Sequence, residues 1–424
     1  MRDWRTVLAA HPVLALLPLL GLLILGSLLV PERQDDEAGY LEIARNLMHG
    51  HYATGRPDAL LDADPSYPDI WFGPGLPLTL VGPVAADLPL WLLRLSGPLF
   101  LFGALLLFHA VLRRSLAPRA ALLATWALGL YLPFLTVLTN LHSEPLAVLC
   151  LTAWMYATVR LLDDGRGRWL VLGAAALAGL ALTRVDYGWV HTLLLAALLV
   201  WWALTRSANA RRLSAMVALS LALCIPWLAY TASETGRAFV WGNSGSLSLY
   251  WMSSPYAGDL GDWQQANAVS TDPSLAAHRP FFESLRGLDL PKQNAKLERQ
   301  ALENVVHHPM QYAENVGANV SRMLFDTPYS RTEQRLGALG FALPNALLLG
   351  LLAVSLVVLV RVRRSLPAPA APFALFALAS FGLHALVAAY PRMLLPIVPV
   401  IAWFVAIALA GYLRIASPPA QEAG

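Results

Sequence analysis

The chain is built from apolar runs about as long as a bilayer is thick, and every second connection between them is basic. A hydrocarbon core of ~30 Å needs roughly 20 apolar residues per helix, and no backbone polar group can stay unpaired inside it. The runs therefore predict membrane-crossing helices. They fall at about 13–30, 91–112, 119–138, 143–162, 169–183, 186–204, 212–230, 337–360, 371–389 and 393–414, which makes about ten. The expected fold class is an all-α polytopic membrane protein. Composition agrees, with 57% hydrophobic and 13% charged residues, against about 25% charged in soluble domains.

The arginines orient the runs. Arg113, Arg114 and Arg119 share one connection, Arg166 and Arg168 another, Arg206, Arg211 and Arg212 a third, and Arg361, Arg363 and Arg364 a fourth. Under the positive-inside rule these connections are cytoplasmic and both termini lie inside. The first run competes with a cleaved signal peptide, but Gly26-Ser27-Leu28-Leu29-Val30 lacks a small-x-small cleavage site, so it reads as a span. The connections 31–90, 139–142, 184–185, 231–336 and 390–392 are then outside. The organisation expected is an N-terminal module over 1–230, with about seven spans and a functional first outer loop at 31–90. An outer segment over 231–335 and a C-terminal module of about three spans over 336–424 follow.

Within the first outer loop, Leu76 to Val84 is apolar but too short to span, and it follows the Pro/Gly-rich stretch Tyr67 to Pro77. A re-entrant or interfacial segment is expected, with protein covering its free backbone groups. The outer segment mixes turn-rich sequence with helices near 293–306 and 309–325. Asp259, Asp262 and Glu283 read there as solvated charges without a role.

Several function classes drop out. Cys150 and Cys224 lie in apolar runs and give neither a disulfide framework nor a metal site. No Walker loop, dinucleotide fingerprint, zinc helix motif or nucleophile-elbow serine is present. A net charge of +3 is too small for a nucleic-acid partner. High Ala, Leu and Arg usage suggests, without establishing, a GC-rich bacterial source, and the expected location is the bacterial inner (plasma) membrane.

Directly after the first run come Asp35, Asp36 and Glu37. Tyr40, Ile43, Ala44 and Leu47 recur at helical spacing behind them, so a helix over about 36–47 is expected. N-capping explains one acid at its start. It does not explain three. The topology puts Asp35, Asp36, Glu37, Glu144, Arg184, Asp186 and Arg392 on one membrane face, although they come from separate parts of the chain. Each would cost ~2.5–3.5 kcal/mol at the centre of a span, so such groups pair, face a cavity or do chemistry. A carboxylate can take a proton from an acceptor hydroxyl. Arginine forks match phosphate oxygens, which makes Arg184 and Arg392 the phosphate-binding candidates. The competing readings are a salt bridge from Arg184 to Asp186, and snorkelling for Arg392. With a groove for a lipid tail, these parts suit glycosyl transfer from a lipid-phosphate sugar. Channels and transporters also place Asp and Arg at membrane depth.

The sequence resembles the GT-C superfamily of integral membrane glycosyltransferases, in the branch of protein O-mannosyltransferases and aminoarabinose transferases. Asp36-Glu37-Ala38-Gly39-Tyr40-Leu41-Glu42-Ile43-Ala44 is similar to that family's first-loop Asp-Glu-x-x-Tyr-x-x-x-Ala. Trp71 to Pro77, Ser143-Glu144-Pro145-Leu146, Ala181-Leu182-Thr183-Arg184, Trp241 to Tyr250, 302–325 and Pro391 to Pro399 resemble later family stretches, in order. Met393 stands where an aromatic is usual, Val185 where proline follows Thr-Arg, and Glu144 where an aspartate is frequent.

The resemblance implies an inverting hexosyl- or pentosyltransferase using a polyprenyl-phosphate-linked sugar, with the site facing the periplasm or exterior. Its partners would be the lipid-linked donor, membrane lipid, and a glycan, lipid or protein acceptor. Asp36 would be the base or orient the acceptor. Of Glu37 and Asp35, placed beside it in the catalytic loop, one would tune that base or hold a metal, with simple solvation the competing reading for the other. Glu144 would be a second acid or a metal ligand, against an N-cap role that Pro145 supports. Tyr40, His142, Tyr67 and Asp35 would position donor or acceptor. The resemblance fixes no cofactor and leaves a divalent Mg or Mn open, which would fall to Asp36 and Glu144. Trp71 and Trp189 suit an aromatic interface belt. Asn319-Val320-Ser321 fits a glycosylation acceptor pattern. The rival class is a transporter or flippase of lipid-linked saccharide, which would show internal repeats and midplane polar groups. Neither is visible.

Overall fold

The computed structural model describes residues 11–29, 36–52, 70–331, 336–362 and 366–416, and all regular structure among them is helical. In chain order, α1 (Pro12–Leu29) precedes α2 (Glu37–Met48), the short α3 (Gly75–Ala85) and α4 (Leu90–Leu112). Then come α5 (Pro118–Gly129), α6 (Glu144–Asp164), α7 (Gly167–Thr183), α8 (Tyr187–Thr205), α9 (Ala208–Leu223) and α10 (Ile225–Thr235). The outer segment supplies α11 (Gly245–Met252), α12 (Leu290–His307) and α13 (Pro309–Phe325). The chain closes with α14 (Leu339–Val362), α15 (Ala370–Val387) and, after a helical turn at Pro391–Leu394, α16 (Val398–Ala416).

Among the described residues, seven helices are long and apolar enough to cross a membrane, or eight if the α9–α10 pair is one bent span. Three of the ten expected runs take another form, two of them for a backbone reason. The run over 119–138 ends as α5 at Gly129 and continues as a 3-10 turn at Leu132–Val137. Pro133 has no N–H, so the α ladder cannot pass through it. The run over 212–230 bends by 46° between α9 and α10. Pro226 lies at the start of α10, where an unbroken helix would need its N–H to reach Ala222. α7 is apolar but only 17 residues long.

α6 is the centre of the bundle. Leu151, Trp154 and Met155 are buried, and the Trp154 ring packs 5.3 and 5.0 Å from Phe373 and Phe376 of α15. The segment Leu336–Arg361 behaves oppositely. Only 11% of it is buried, and Leu343, Leu347 and Val360 point outward, as on a lipid-facing helix. The chain is an integral membrane protein.

The basic connections gather at one end. Arg114 pairs with Asp163 at 2.6 Å, and Gly165 lies against the Arg212 guanidinium. Asp36, Glu144, Arg184 and Arg392 are at the opposite end, under a cap formed by the outer segment.

The cap has its own core, with Leu247, Trp251, Leu275, Phe282 and Leu297 almost fully buried. It also corrects two sequence expectations. Asp259 and Asp262 are each 3% exposed, not solvated. Asp259 accepts from Ser254, from Arg331 at 2.8 Å and from His278 Nε2 at 2.8 Å. Asp262 accepts from the Ser330 N–H at 3.1 Å and hydroxyl at 2.9 Å, beside the buried Arg322. The turn-rich sequence hides this burial because its polar residues satisfy one another. Asn319 is likewise not a surface glycosylation acceptor. It is fully buried, and its amide donates to the carbonyls of His384 and Ala385 at 3.0 and 2.9 Å. Its oxygen accepts the Ala389 N–H at 2.9 Å.

Candidate active site

Asp36 occupies the N-cap position of α2, yet its side chain makes no cap bond. Instead its Oδ2 accepts from Arg392 Nη1 at 2.9 Å. Arg392 comes from the helical turn before α16, and its Nε lies 3.7 Å from Glu144 Oε1. Glu144 is the first residue of α6 and accepts from Arg184 Nη1 at 2.6 Å. Arg184, in the turn between α7 and α8, lies 3.7 Å from Asp186. Asp186 Oδ2 is 2.6 Å from His384 Nε2, and the other ring nitrogen is 2.7 Å from the Ser380 carbonyl. The string Asp36–Arg392–Glu144–Arg184–Asp186 thus alternates in charge, ends on the His384 ring, and joins five separate parts of the chain.

Exposure is graded along it. The Glu144 side chain is 1% exposed and Arg184 11%, whereas Asp36 is 23% and Arg392 and Asp186 are each 31%. The more open members border a cavity of about 380 Å³; Glu144 lies behind the arginines rather than on its wall. Val185, Leu249, Leu383, Val387 and Met393 give the same cavity an apolar wall. One chamber therefore combines paired guanidinium groups, a carboxylate within reach, and a surface suited to hydrocarbon.

Close backbone packing sets these positions. A Cβ on Gly73 would lie 2.1 Å from the Leu182 carbonyl, and one on Gly75 would lie 2.7 Å from the Thr183 backbone. The Pro/Gly stretch and α3 therefore rest directly on the end of α7, which is the protein cover a short apolar segment needs. That contact fixes the turn bearing Arg184.

The other sequence candidates divide. Tyr40 lines the cavity, packs 4.7 Å from Phe72 and hydrogen-bonds Ser143. Glu37 does not reach the cavity. It takes a bidentate fork from Arg94 at 2.9 and 2.8 Å and the Leu141 N–H at 2.9 Å. Burial pushes its carboxyl up, but these donors outweigh that and hold it below the ordinary range. His142 is 5% exposed and off the cavity wall, within electrostatic reach of both Glu37 and Glu144. Asp35 and Tyr67 lie outside the described residues. His384 was missed by the sequence reading. It looks like a lone histidine in an apolar run, although an ionisable group inside a span is itself a signal.

Among the described residues no three His, Cys, Asp or Glu side chains cluster as a metal site would need. One oxygen each of Asp36 and Glu144 meets a guanidinium group, and the second oxygen of Glu144 is buried without a partner in the protein.

No known protein-family profile and no curated protein matches the chain. Solved structures do. The oligosaccharyltransferase of Archaeoglobus fulgidus in its apo form aligns with a TM-score of 0.54 and 15% identity, over 94% of this chain and 50% of that one. ArnT from Cupriavidus metallidurans bound to undecaprenyl phosphate aligns at 0.41 and 16% identity, over 96% and 79%. The archaeal oligosaccharyltransferase AglB from A. fulgidus, in complex with an inhibitory peptide and a dolichol-phosphate, aligns at 0.47 and 15%, over 96% and 52%. This chain spans about half the length of the oligosaccharyltransferase chain it matches at 50% coverage. The chain shares the fold of the matching half of that oligosaccharyltransferase.

Proposed function

We propose that this protein transfers a hexosyl or pentosyl group from a polyprenyl-phosphate-linked donor to an acceptor hydroxyl, with inversion. The reaction would take place at the cap end, facing the periplasm or exterior of a bacterial inner membrane. One observation carries the reading: an alternating carboxylate–arginine string bordering a cavity that is also lined by apolar side chains. A phosphate on an apolar chain fits that combination, and an arginine pair is the group that holds it.

The roles follow from chemistry. Arg392 and Arg184 bind the donor phosphate. Glu144 and Asp186 hold the arginines in place. Asp36 takes the acceptor proton. As the new C1–O bond forms, the C1–O bond to phosphate breaks and its electron pair stays on the phosphate oxygen. The leaving phosphate goes from one negative charge to two, and the arginines offset the added charge. The transferred proton leaves Asp36 for water. No step passes through a metal, so turnover should survive a chelator.

The test uses purified protein with undecaprenyl-phosphate-linked hexoses and pentoses, wild type beside Asp36→Asn, with and without EDTA. Product from wild type and its loss in the variant are expected. Full activity in Asp36→Asn would remove the site assignment. Vesicle experiments in which wild type moves lipid-linked sugar across the bilayer without transferring it would favour a transporter instead.

A further inference from the structure

A second cavity of about 430 Å³ adjoins the first, and Trp189, Trp241, Gly242, Gly245 and Leu249 border both. Its volume is within the range of ligand pockets, roughly 300–1,000 Å³. The lining is mixed. Phe239 sets its ring edge-on between Trp189, at 5.3 Å, and Trp241, at 5.8 Å. Beside this aromatic group are the amides of Asn243 and Asn294, and the solvated pair Arg237–Glu298 at 3.4 Å.

Two details separate this cavity from ordinary packing. Phe239 has φ +61°, the left-handed region that a bulky side chain avoids, and still leaves 40% of its surface exposed. Strained backbone of this kind persists where a side chain is being presented. Second, Asn243 Oδ1 and Trp241 Nε1 are buried without a hydrogen-bond partner in the protein. Groups of that kind are costly unless something else satisfies them.

A hydrocarbon tail would leave the amides and the ion pair that line the cavity without partners. A sugar ring would not: its C–H faces pack on the aromatic rings while its hydroxyls bond the lining amides and the Arg237–Glu298 pair. We propose that the second cavity binds the acceptor, and that the acceptor is an oligosaccharide. This rests on the transferase reading above. The terminal sugar would reach the junction beside Gly245, where no atom lies within 4 Å of the missing Cβ, and present its hydroxyl toward Asp36. The preceding sugars would occupy the second cavity. The hydroxyl oxygen of the terminal sugar then forms the C1–O bond, its proton goes to Asp36, and the C1–O bond to phosphate breaks.

The experiment measures binding without requiring turnover. The full chain in nanodiscs is titrated with linear oligosaccharides of glucose, mannose, galactose and N-acetylglucosamine, one to four units long. Undecaprenyl phosphate is titrated separately. At least one series should bind with affinity rising about tenfold from one unit to three, a step of ~1.4 kcal/mol. Asn243→Ala and Phe239→Gly should each weaken that binding about tenfold and leave undecaprenyl phosphate binding unchanged. Phe239→Gly relaxes the strained backbone, so its thermal midpoint should not fall even as sugar binding does; simple unfolding would lower both. Undecaprenyl phosphate binding with no response to any sugar would overturn the acceptor assignment and leave the donor reading intact. So would sugar binding indifferent to both variants, or occupation of the cavity by an acetylated tripeptide or a short-chain phosphatidylglycerol. Sugar binding that responds to both variants, with no transfer from any polyprenyl-phosphate sugar, would keep the glycan site and remove the transferase.

Discussion

Asp36 is available to cap α2 and instead binds Arg392. In the absence of donor, the proposed base thus occupies the proposed phosphate clamp. An arriving phosphate competes with the Asp36 carboxylate, and by displacing it frees the base. Asp36→Asn should therefore divide the kinetics. Turnover falls by on the order of 10²–10⁴, the usual contribution of a positioned base, while undecaprenyl phosphate binds at least as tightly as to wild type. Equal loss of both would contradict the competition. Glu144 differs because it is buried between two arginines. Glu144→Ala removes the buried carboxylate shared by the two arginines and leaves Arg184 only Asp186 at 3.7 Å, a change of about 3–5 kcal/mol for a broken buried pair, read as a large drop in thermal midpoint. Part of this was legible in the sequence. Asp36 and Tyr40 are one helical turn apart and share the cavity face, whereas Glu37 points about 100° away and goes to Arg94. The Arg94 partner was not legible, because that arginine is 57 residues on and nothing in the spacing links the two.

At the level of elements, the membrane helices were readable from length and hydropathy, and their breaks from proline. The cap was less so. Its helices at Leu290–His307 and Pro309–Phe325 follow the expected periodicity, but burial of its acids depends on partners scattered from Ser254 to Arg331. α13 is the element that ties cap to site. Its Asn319 holds three backbone groups between His384 and Ala389, immediately before the turn that carries Arg392. Asn319→Ala should cost about 1–3 kcal/mol, the desolvation penalty of groups left unpaired. It should also lower turnover although Asn319 is not on the cavity wall. A thermal melt together with the transfer assay checks both. Gly75→Val should likewise displace the Thr183 backbone it rests on and, through Arg184, weaken undecaprenyl phosphate binding.

For the whole molecule, the side of the membrane on which the site lies was inferred from the arginine loops. The structure places three of those loops at the end away from Asp36. The cap also gives the protein an acid limit. Burial pushes the Asp259 carboxyl up, but His278, Arg331 and Ser254 outweigh it and hold it below its ordinary 3.8. A depressed carboxylate stabilises the fold fully above its unfolded value and loses that contribution as pH falls through the folded one. Thermal midpoints should be level near neutrality and drop below about pH 4, with the drop reduced in Asp259→Asn. The ion pair between Asp36 and Arg392 has a consequence in time as well as space. Its partners are 356 residues apart. At about 5–20 residues per second of synthesis, Asp36 waits roughly 20–70 s before Arg392 is made. The site is therefore complete only once the segment bearing Arg392 has been made, and a chain halted before it has the acid without the clamp. Activity becomes a report that synthesis has passed Arg392.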